Sequence, residues 1–494
     1  MTENKNSYRQ VMKATSLFGG VQVFNILISL VRSKVIALLI GTTGMGIAGL
    51  LASTMGLING LTNFGLERSA VKDISIANND SDQDKVSRTI SILKRLVWFT
   101  VTLGVIIMIV AAPLLSEFAF GNKEYTVSFR WISIALLFKQ LASSQLAILQ
   151  GLRKLQSLAK ANLLGNFLGL LITLPLYYYY RIDAIVPAII IATFISFAFT
   201  LYYTDKAVVD HVKISNKDAV KEGKSMIHLG FMLSLSSMIT LLVAYIIQIY
   251  ISKVGGVDEV GLYTAGFLIL NSYVGIIFNA MGTDYFPRLA AISDEIIKIR
   301  KAVFEQALIA VLLISPIIVI FLTFAPLIIT ILYSKEFLPI VGMVSWGILG
   351  MLFKAVSWSM GYVIIAKGDS KVFIKTAIGF NAILLIFNAL GYYYGGLEGL
   401  GISFFIYYII HYISIRIITY YRYNFYFEKG FYPIFIFSIL LCLTTFLLSY
   451  ISNPILMYSL MIAIIIFSTG YSYYQLDKKM NIKEFIRSLI KRKK

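Results

Sequence analysis

Fourteen apolar runs, each long enough to cross a bilayer, follow one another along this chain: 14–40, 46–66, 94–115, 129–150, 158–180, 183–203, 226–251, 260–283, 303–332, 339–365, 372–394, 397–419, 431–451 and 454–474. A helix needs about 20 mainly apolar residues to span hydrocarbon. A segment in lipid must also satisfy its own backbone hydrogen bonds, so each run is expected to be helical. The alternating polarity of barrel strands is absent. The chain is therefore expected to be an all-α polytopic membrane protein of about 14 transmembrane helices. Composition agrees: 58% of the residues are hydrophobic and 14% charged, where a soluble domain carries about 25% charge. One cysteine, Cys442, excludes an internal disulfide, and the three histidines have no metal-ligand spacing. No metal or cofactor is expected. Lys5, Arg9 and Lys13 precede the first run, but that run is too long for a signal-peptide core and has no small-residue cleavage site.

The net charge of +19 acquires meaning only from its distribution. An even number of spans puts both termini on one side. Of the 44 Lys and Arg residues, 35 then fall at the termini, in the loops on that side or at the span ends that border them, and five on the other: Lys123, Arg130, Arg181, Lys253 and Lys335. By the positive-inside rule both termini are expected in the cytoplasm. The charge is thus an orientation signal with a component for anionic lipid headgroups, and nucleic acid is not an expected partner. In the tail 475–494, Ile482, Phe485, Ile486, Leu489 and Ile490 share one helix face while Lys483, Arg487 and Lys491 occupy the other. That pattern reads as a basic amphipathic helix on the membrane surface, with partner binding as the alternative.

The chain also repeats itself at an offset of 215–217 residues. "GIAGLLASTMGLINGLTNFGLERSAVKDIS" from Gly46 faces "GLYTAGFLILNSYVGIIFNAMGTDYFPRLAAIS" from Gly261, with Glu67 opposite Asp284. Gly151 meets Gly368, Asn166 meets Asn381, and the tyrosines at 177–180 meet those at 392–394. A constant offset over several landmarks marks an internal repeat. Six spans separate equivalent positions, so the two repeats are parallel, related by an axis along the membrane normal. The expected organisation is a six-helix lobe at 1–203, a linker at 204–225, a second six-helix lobe at 226–419, two additional helices within 431–474, and the tail. The tyrosine clusters read as interfacial belts or as sugar-stacking surfaces.

Four basic residues do not sort to either side: Arg32, Lys34, Lys139 and Lys354. A Lys or Arg at a helix centre costs about 2.5–3.5 kcal/mol on insertion scales. No acidic residue is expected at mid-depth to offset this, since Glu67, Asp284 and Glu305 fall near span ends. Lys139 and Lys354 are 215 residues apart, the repeat offset, so both lobes carry an equivalent midspan lysine. The four cations fit a water-filled cavity that awaits an anion, or else they snorkel from shorter helices. For Arg32 and Lys34 in "SLVRSKVIALLI", either one helix ends at Arg32 or one continues past both. Gln22, Asn25, Asn59, Asn63, Gln140, Gln145, Asn271 and Asn279 are polar residues within spans; they read as interhelical hydrogen bonds or as contacts to sugar hydroxyls. His411 in "YIIHYISIR" reads as a packed neutral histidine or as a protonation switch.

The stretch "KATSLFGGVQVFNILISLVRSKVIALLIGTTGMGIAGLLASTMGLINGLTNFGLERSAVKDI" resembles bacterial O-antigen flippases (Wzx type), of the polysaccharide-transporter branch of the multidrug/oligosaccharidyl-lipid/polysaccharide (MOP) superfamily. The resemblance implies translocation of undecaprenyl-pyrophosphate-linked units from the cytoplasmic to the periplasmic leaflet. It also implies a continuous first helix with Arg32 turned to the cavity, because related lipid II flippases carry an arginine late in that helix before a Gly-rich turn. The partners it implies are the lipid-linked anionic oligosaccharide and the polymerase and chain-length proteins of the pathway. Coupling to H⁺ or Na⁺ is compatible with it. Two other classes compete. A drug/cation antiporter of the same superfamily needs a buried carboxylate, which is not expected at mid-depth. A membrane-embedded polysaccharide enzyme needs catalytic carboxylates or a large outer loop, and neither is evident, so the chain is not expected to be an enzyme.

Overall fold

The computed structural model of the chain describes residues 2–79, 82–207, 212, 214–275, 278, 285, 286 and 288–480. Asn279, Asp284 and the tail 481–494, all singled out from sequence, lie outside the described residues. Among those described there is no strand, and fourteen α-helices occur. They are α1 (Thr2–Thr62), α2 (Leu66–Asn79), α3 (Gln83–Val110), α4 (Ala112–Phe120), α5 (Thr126–Gly151), α6 (Leu155–Tyr180) and α7 (Ile185–Asp205). The chain continues with α8 (Asn216–Gly255), α9 (Val257–Leu268), α10 (Ile296–Leu332), α11 (Val341–Ala366), α12 (Ser370–Tyr423), α13 (Phe431–Leu448) and α14 (Pro454–Met480).

Ten described helical segments are long and apolar enough to cross a membrane. Phe24–Thr62, Leu155–Asp205 and Ser370–Tyr423 each hold two of the expected spans. The breaks inside them fall where the sequence places them: Gly41 (φ 64, ψ −161), the turn Arg181–Ala184, and Gly395–Gly396. Gly41 adopts a left-handed φ that a side chain resists. The expected span 260–283 differs. It is α9 followed by a π-helical turn, Ile269–Val274, with most later positions outside the described residues.

Two other boundaries depart from the apolar runs. The run 94–115 is the end of α3, which begins at Gln83 because the Asp82 carboxylate caps it, accepting from the Lys85 N–H at 2.9 Å. It stops at Val110, and α4 restarts with Pro113 in its first turn, where a missing N–H costs nothing. α10 begins at Ile296 rather than 303 and bends at Phe324, two residues before Pro326.

By contacts the chain forms two units, Met1–Thr264 with Leu332–Glu336, and Ala265–Ile331 with Phe337–Lys494. The division falls beyond the 204–225 linker because α8 is tied into the first unit. Arg68 donates to the Leu233 carbonyl at 2.7 Å and to Ser237 Oγ at 3.1 Å, and Thr54 donates to the Tyr245 hydroxyl at 3.1 Å. Arg88 pairs with Glu222 at 2.5 Å.

Within this unit the repeat is visible as a reciprocal crossing. A Cβ on Gly46 would lie 2.0 Å from the Val257 carbonyl oxygen, and one on Gly261 2.0 Å from the Thr42 carbonyl oxygen. Thr42 and Val257, like Gly46 and Gly261, are 215 residues apart. Two repeat-equivalent segments therefore touch through equivalent atoms, as a local two-fold axis requires. Small residues permit such an approach where lipid gives helices no hydrophobic drive to associate. Thr42 and Thr43 both donate to Asp258 at the same crossing.

Candidate substrate site

In the first unit, α1 runs unbroken through Arg32 and Lys34 to Gly41, so the continuous-helix reading is the observed one. The two cations have different surroundings. Arg32 faces α6, with the Tyr177 hydroxyl in electrostatic reach of its guanidinium. Two turns earlier on the same face, Asn25 donates to Asn162 Oδ1 at 3.1 Å and accepts from Asn166 Nδ2 at 3.0 Å, while Asn166 also donates to Asn162 at 2.8 Å. Asn25, Arg32, Asn162, Asn166 and Tyr177 thus form a polar seam along α1 and α6. Lys34 lies off it and donates to the Tyr333 backbone carbonyl at 2.5 Å. That carbonyl belongs to the short Leu332–Glu336 segment of the first unit.

Lys139 on α5 is not alone, contrary to the expectation that no carboxylate reaches these cations. The carboxylate of Glu67 on α2 lies within electrostatic reach of it, without forming a direct salt bridge. After Thr62 the chain turns through Asn63–Gly65, where the Asn63 side-chain Oδ1 accepts from the Gly65 N–H at 2.8 Å. The turn starts α2 against α5, so Glu67 points at Lys139 and Ser143 instead of cytoplasmic water. Asn63 Nδ2 adds a long contact to Glu67 Oε1 at 3.4 Å, and Gln140 Nε2 donates to Thr62 Oγ1 at 3.0 Å. The Asn59 side-chain oxygen is buried with no protein partner. Burial pushes the Glu67 carboxyl above the usual carboxylate range, against the Ser143 hydrogen bond and the Lys139 and Arg68 charges that pull it down.

In the second unit the equivalent lysine is held differently. Lys354 on α11 is buried, only 6% exposed, and donates to Asn271 Oδ1 at 3.1 Å. Three ring faces surround its Nζ: Phe278 at 5.3 Å, Trp358 at 5.5 Å and Tyr408 at 5.3 Å. Cation–π contacts are worth about 0.5–2 kcal/mol each. Three of them are comparable to the insertion cost of about 2.5–3.5 kcal/mol, so aromatic faces offset burial here, and among the described residues no carboxylate faces the lysine. His411 packs on the far side of the cage, 4.3 Å from the Phe380 ring centre and 6.0 Å from Tyr408.

Sequence reasoning singled out the four cations but missed Tyr177, Asn162, Ser143, Phe278, Trp358 and Tyr408. A signal for two of these was present. Ser143 and Trp358 each follow their lysine by four residues, the spacing that stacks side chains on one helix face.

The architecture is that of a class, the polytopic helical membrane proteins, and solved transporters share the fold. An inward-facing MATE family multidrug transporter of the MOP superfamily superposes with a TM-score of 0.67 at 16% identity, covering 80% of this chain and 94% of the other. The lipid II flippase MurJ, in an inward closed conformation, superposes with a TM-score of 0.66 at 13% identity, covering 95% and 99%. The chain belongs to the polysaccharide biosynthesis protein family, whose model matches residues 35–342. It is 22% identical to the lipid III flippase of Escherichia coli (strain K12), over 72% of this chain and 86% of that protein. It is 25% identical to a putative O-antigen transporter of Shigella flexneri, over 72% of this chain and 84% of that one.

Proposed function

We propose that this protein is a flippase that moves undecaprenyl-pyrophosphate-linked O-antigen or related oligosaccharide units from the cytoplasmic to the periplasmic leaflet of a bacterial inner membrane. The family match over residues 35–342 carries the reading, and the similarity to a lipid III flippase gives it direction. The lobes 1–203 and 226–419 alternate access to the two leaflets, both termini are cytoplasmic, and the prenyl tail stays in lipid while the head group crosses. Arg32, Lys34, Lys139 and Lys354 attract and hand on the anionic pyrophosphate. Arg32 sits among asparagine amides suited to sugar hydroxyls, and its planar fork matches two phosphate oxygens. Lys139 accepts the anion by exchanging Glu67 for it, and the displaced carboxylate is the natural place for a coupled proton. The antiporter reading is weaker, because the described carboxylate nearest these cations, Glu67, already lies within reach of a lysine.

The test is complementation of a flippase-null strain, scored as surface glycan per molecule of inserted protein. A charge-assisted contact to phosphate is worth about 1.5–3 kcal/mol, a tenfold or greater loss of affinity when removed. Arg32→Ala should fall further than Arg32→Lys, and the cytoplasmic Lys217→Ala should match wild type. Normal display from well-inserted alanine variants at all four cations would end the reading of a cationic substrate site.

A further inference from the structure

The second unit contains a pocket that the transport site does not use. It has a volume of about 350 Å³ and lies where α12 ends and the chain turns into α13, lined by Ile413, Arg416, Ile417, Tyr420, Tyr426 and Tyr432 among others. Its frame is fixed. Asn424 closes α12 in the left-handed conformation (φ 51), and its carbonyl accepts from Arg300 of α10 at 2.6 Å. The Arg300 guanidinium lies 3.7 Å above the Tyr426 ring centre, and buried Phe427 stacks on Phe431 at 4.0 Å. Arg416 is exposed, interacts with the Tyr412 side chain and lies 5.1 Å from the Tyr432 ring centre, and no carboxylate is among the lining residues.

Depth and chemistry then select the occupant. Arg416 is seven residues inside the helix end at Tyr423, about 10 Å below it at 1.5 Å per residue. Ile413 and Ile417 flank it and are about half exposed. The pocket therefore opens sideways, onto lipid, at the boundary of headgroups and acyl chains, where tyrosine is at home. A single guanidinium matches the single charge of a phosphodiester. A pyrophosphate would keep charge uncompensated there, and a free phosphate would make no use of the apolar rim.

We propose that this pocket binds an anionic glycerophospholipid of the leaflet at the α12–α13 turn. Arg416 and the tyrosine hydroxyls hold its phosphate, and its acyl chains lie along Ile413 and Ile417. The proposal stands apart from the flippase reading, because it concerns only lipid binding at a remote surface. The test is native mass spectrometry of the full-length protein in detergent, titrated with phosphatidylglycerol. The tightest lipid should bind at least about tenfold more weakly to Arg416→Gln, with Arg416→Lys between the two. Ile417→Glu, which puts a carboxylate on the exposed rim without touching the frame, should weaken binding comparably, so a folding defect in one variant does not decide the matter. Equal retention by wild type and both variants would overturn the proposal. So would displacement of the lipid by millimolar inorganic phosphate. Displacement by undecaprenyl pyrophosphate at lower concentration than phosphatidylglycerol would overturn it in favour of a substrate entry site.

Discussion

Lys139 and Lys354 occupy equivalent positions, 215 residues apart, yet the two units stabilise them by opposite means. Lys139 faces a carboxylate, Glu67, with Ser143 one turn along its own helix. Lys354 faces no described carboxylate and sits among Phe278, Trp358 and Tyr408, with Trp358 at the position equivalent to Ser143. A carboxylate within electrostatic reach is an exchangeable partner: another anion can take its place, and a proton can neutralise it. An aromatic cage is not exchangeable in that way, since ring faces stabilise the cation without neutralising it. The difference teaches that a repeat conserves the place of a charge and not its role. In the flippase reading one lysine switches its partner while the other keeps a standing positive potential.

The largest expected effect separates these roles. Lys354→Met should reduce glycan display tenfold or more while leaving abundance near wild type, because a thioether packs well among rings and no buried counter-charge is stranded. Loss of the folded protein instead would mean that the lysine is structural and would collapse the contrast. Lys139→Ala should do the opposite and destabilise the protein by about 1–3 kcal/mol, since a half-buried Glu67 loses its compensating charge. Glu67→Gln should restore abundance in the double variant without restoring full transport. A double variant no more abundant than Lys139→Ala would show that the two residues are not coupled.

The pH dependence sharpens the same point. Burial raises the folded-state affinity of Glu67 for its proton, so the folded state binds more protons than the unfolded one between the ordinary value of 4.5 and the raised value. Stability contributed by this group is therefore present at low pH and is lost as pH rises through that window. Thermal unfolding midpoints across pH 4 to 8 should show this slope in wild type and lack it in Glu67→Gln. The smallest effect is expected at Arg88 and Glu222, a pair whose side chains are 52% and 35% exposed. Surface pairs contribute little, so Arg88→Ala should leave the unfolding midpoint unchanged within error and α8 still packed in the first unit.

Helix existence, the breaks at Gly41 and Gly395–Gly396, and the repeat register were legible because hydrophobic run length and a constant offset are properties of the chain itself. The register is borne out by the Gly46–Gly261 crossing, where equivalent atoms meet. The end of α3 at Val110 was less legible, since Ala111 and Ala112 continue the apolar run and only Pro113 marks the restart. The partners of the cations were not legible at all. Glu67 is 72 positions from Lys139, and its approach depends on how the Asn63–Gly65 turn aims α2, which hydropathy does not record. The cage of Lys354 draws Phe278 and Tyr408 from two distant stretches of the chain, and only Trp358, four residues along the same helix, left a trace in the sequence. Hydropathy gives depth, and the face each helix presents is decided by packing.

The central claim is that the caged lysine supplies attraction for a lipid-borne anion. Its most direct test is the affinity of detergent-purified wild type and Lys354→Met for undecaprenyl pyrophosphate, measured alongside their unfolding midpoints. The account predicts at least a tenfold weaker affinity in the variant at an unchanged midpoint. Equal affinity in two equally stable proteins would contradict it.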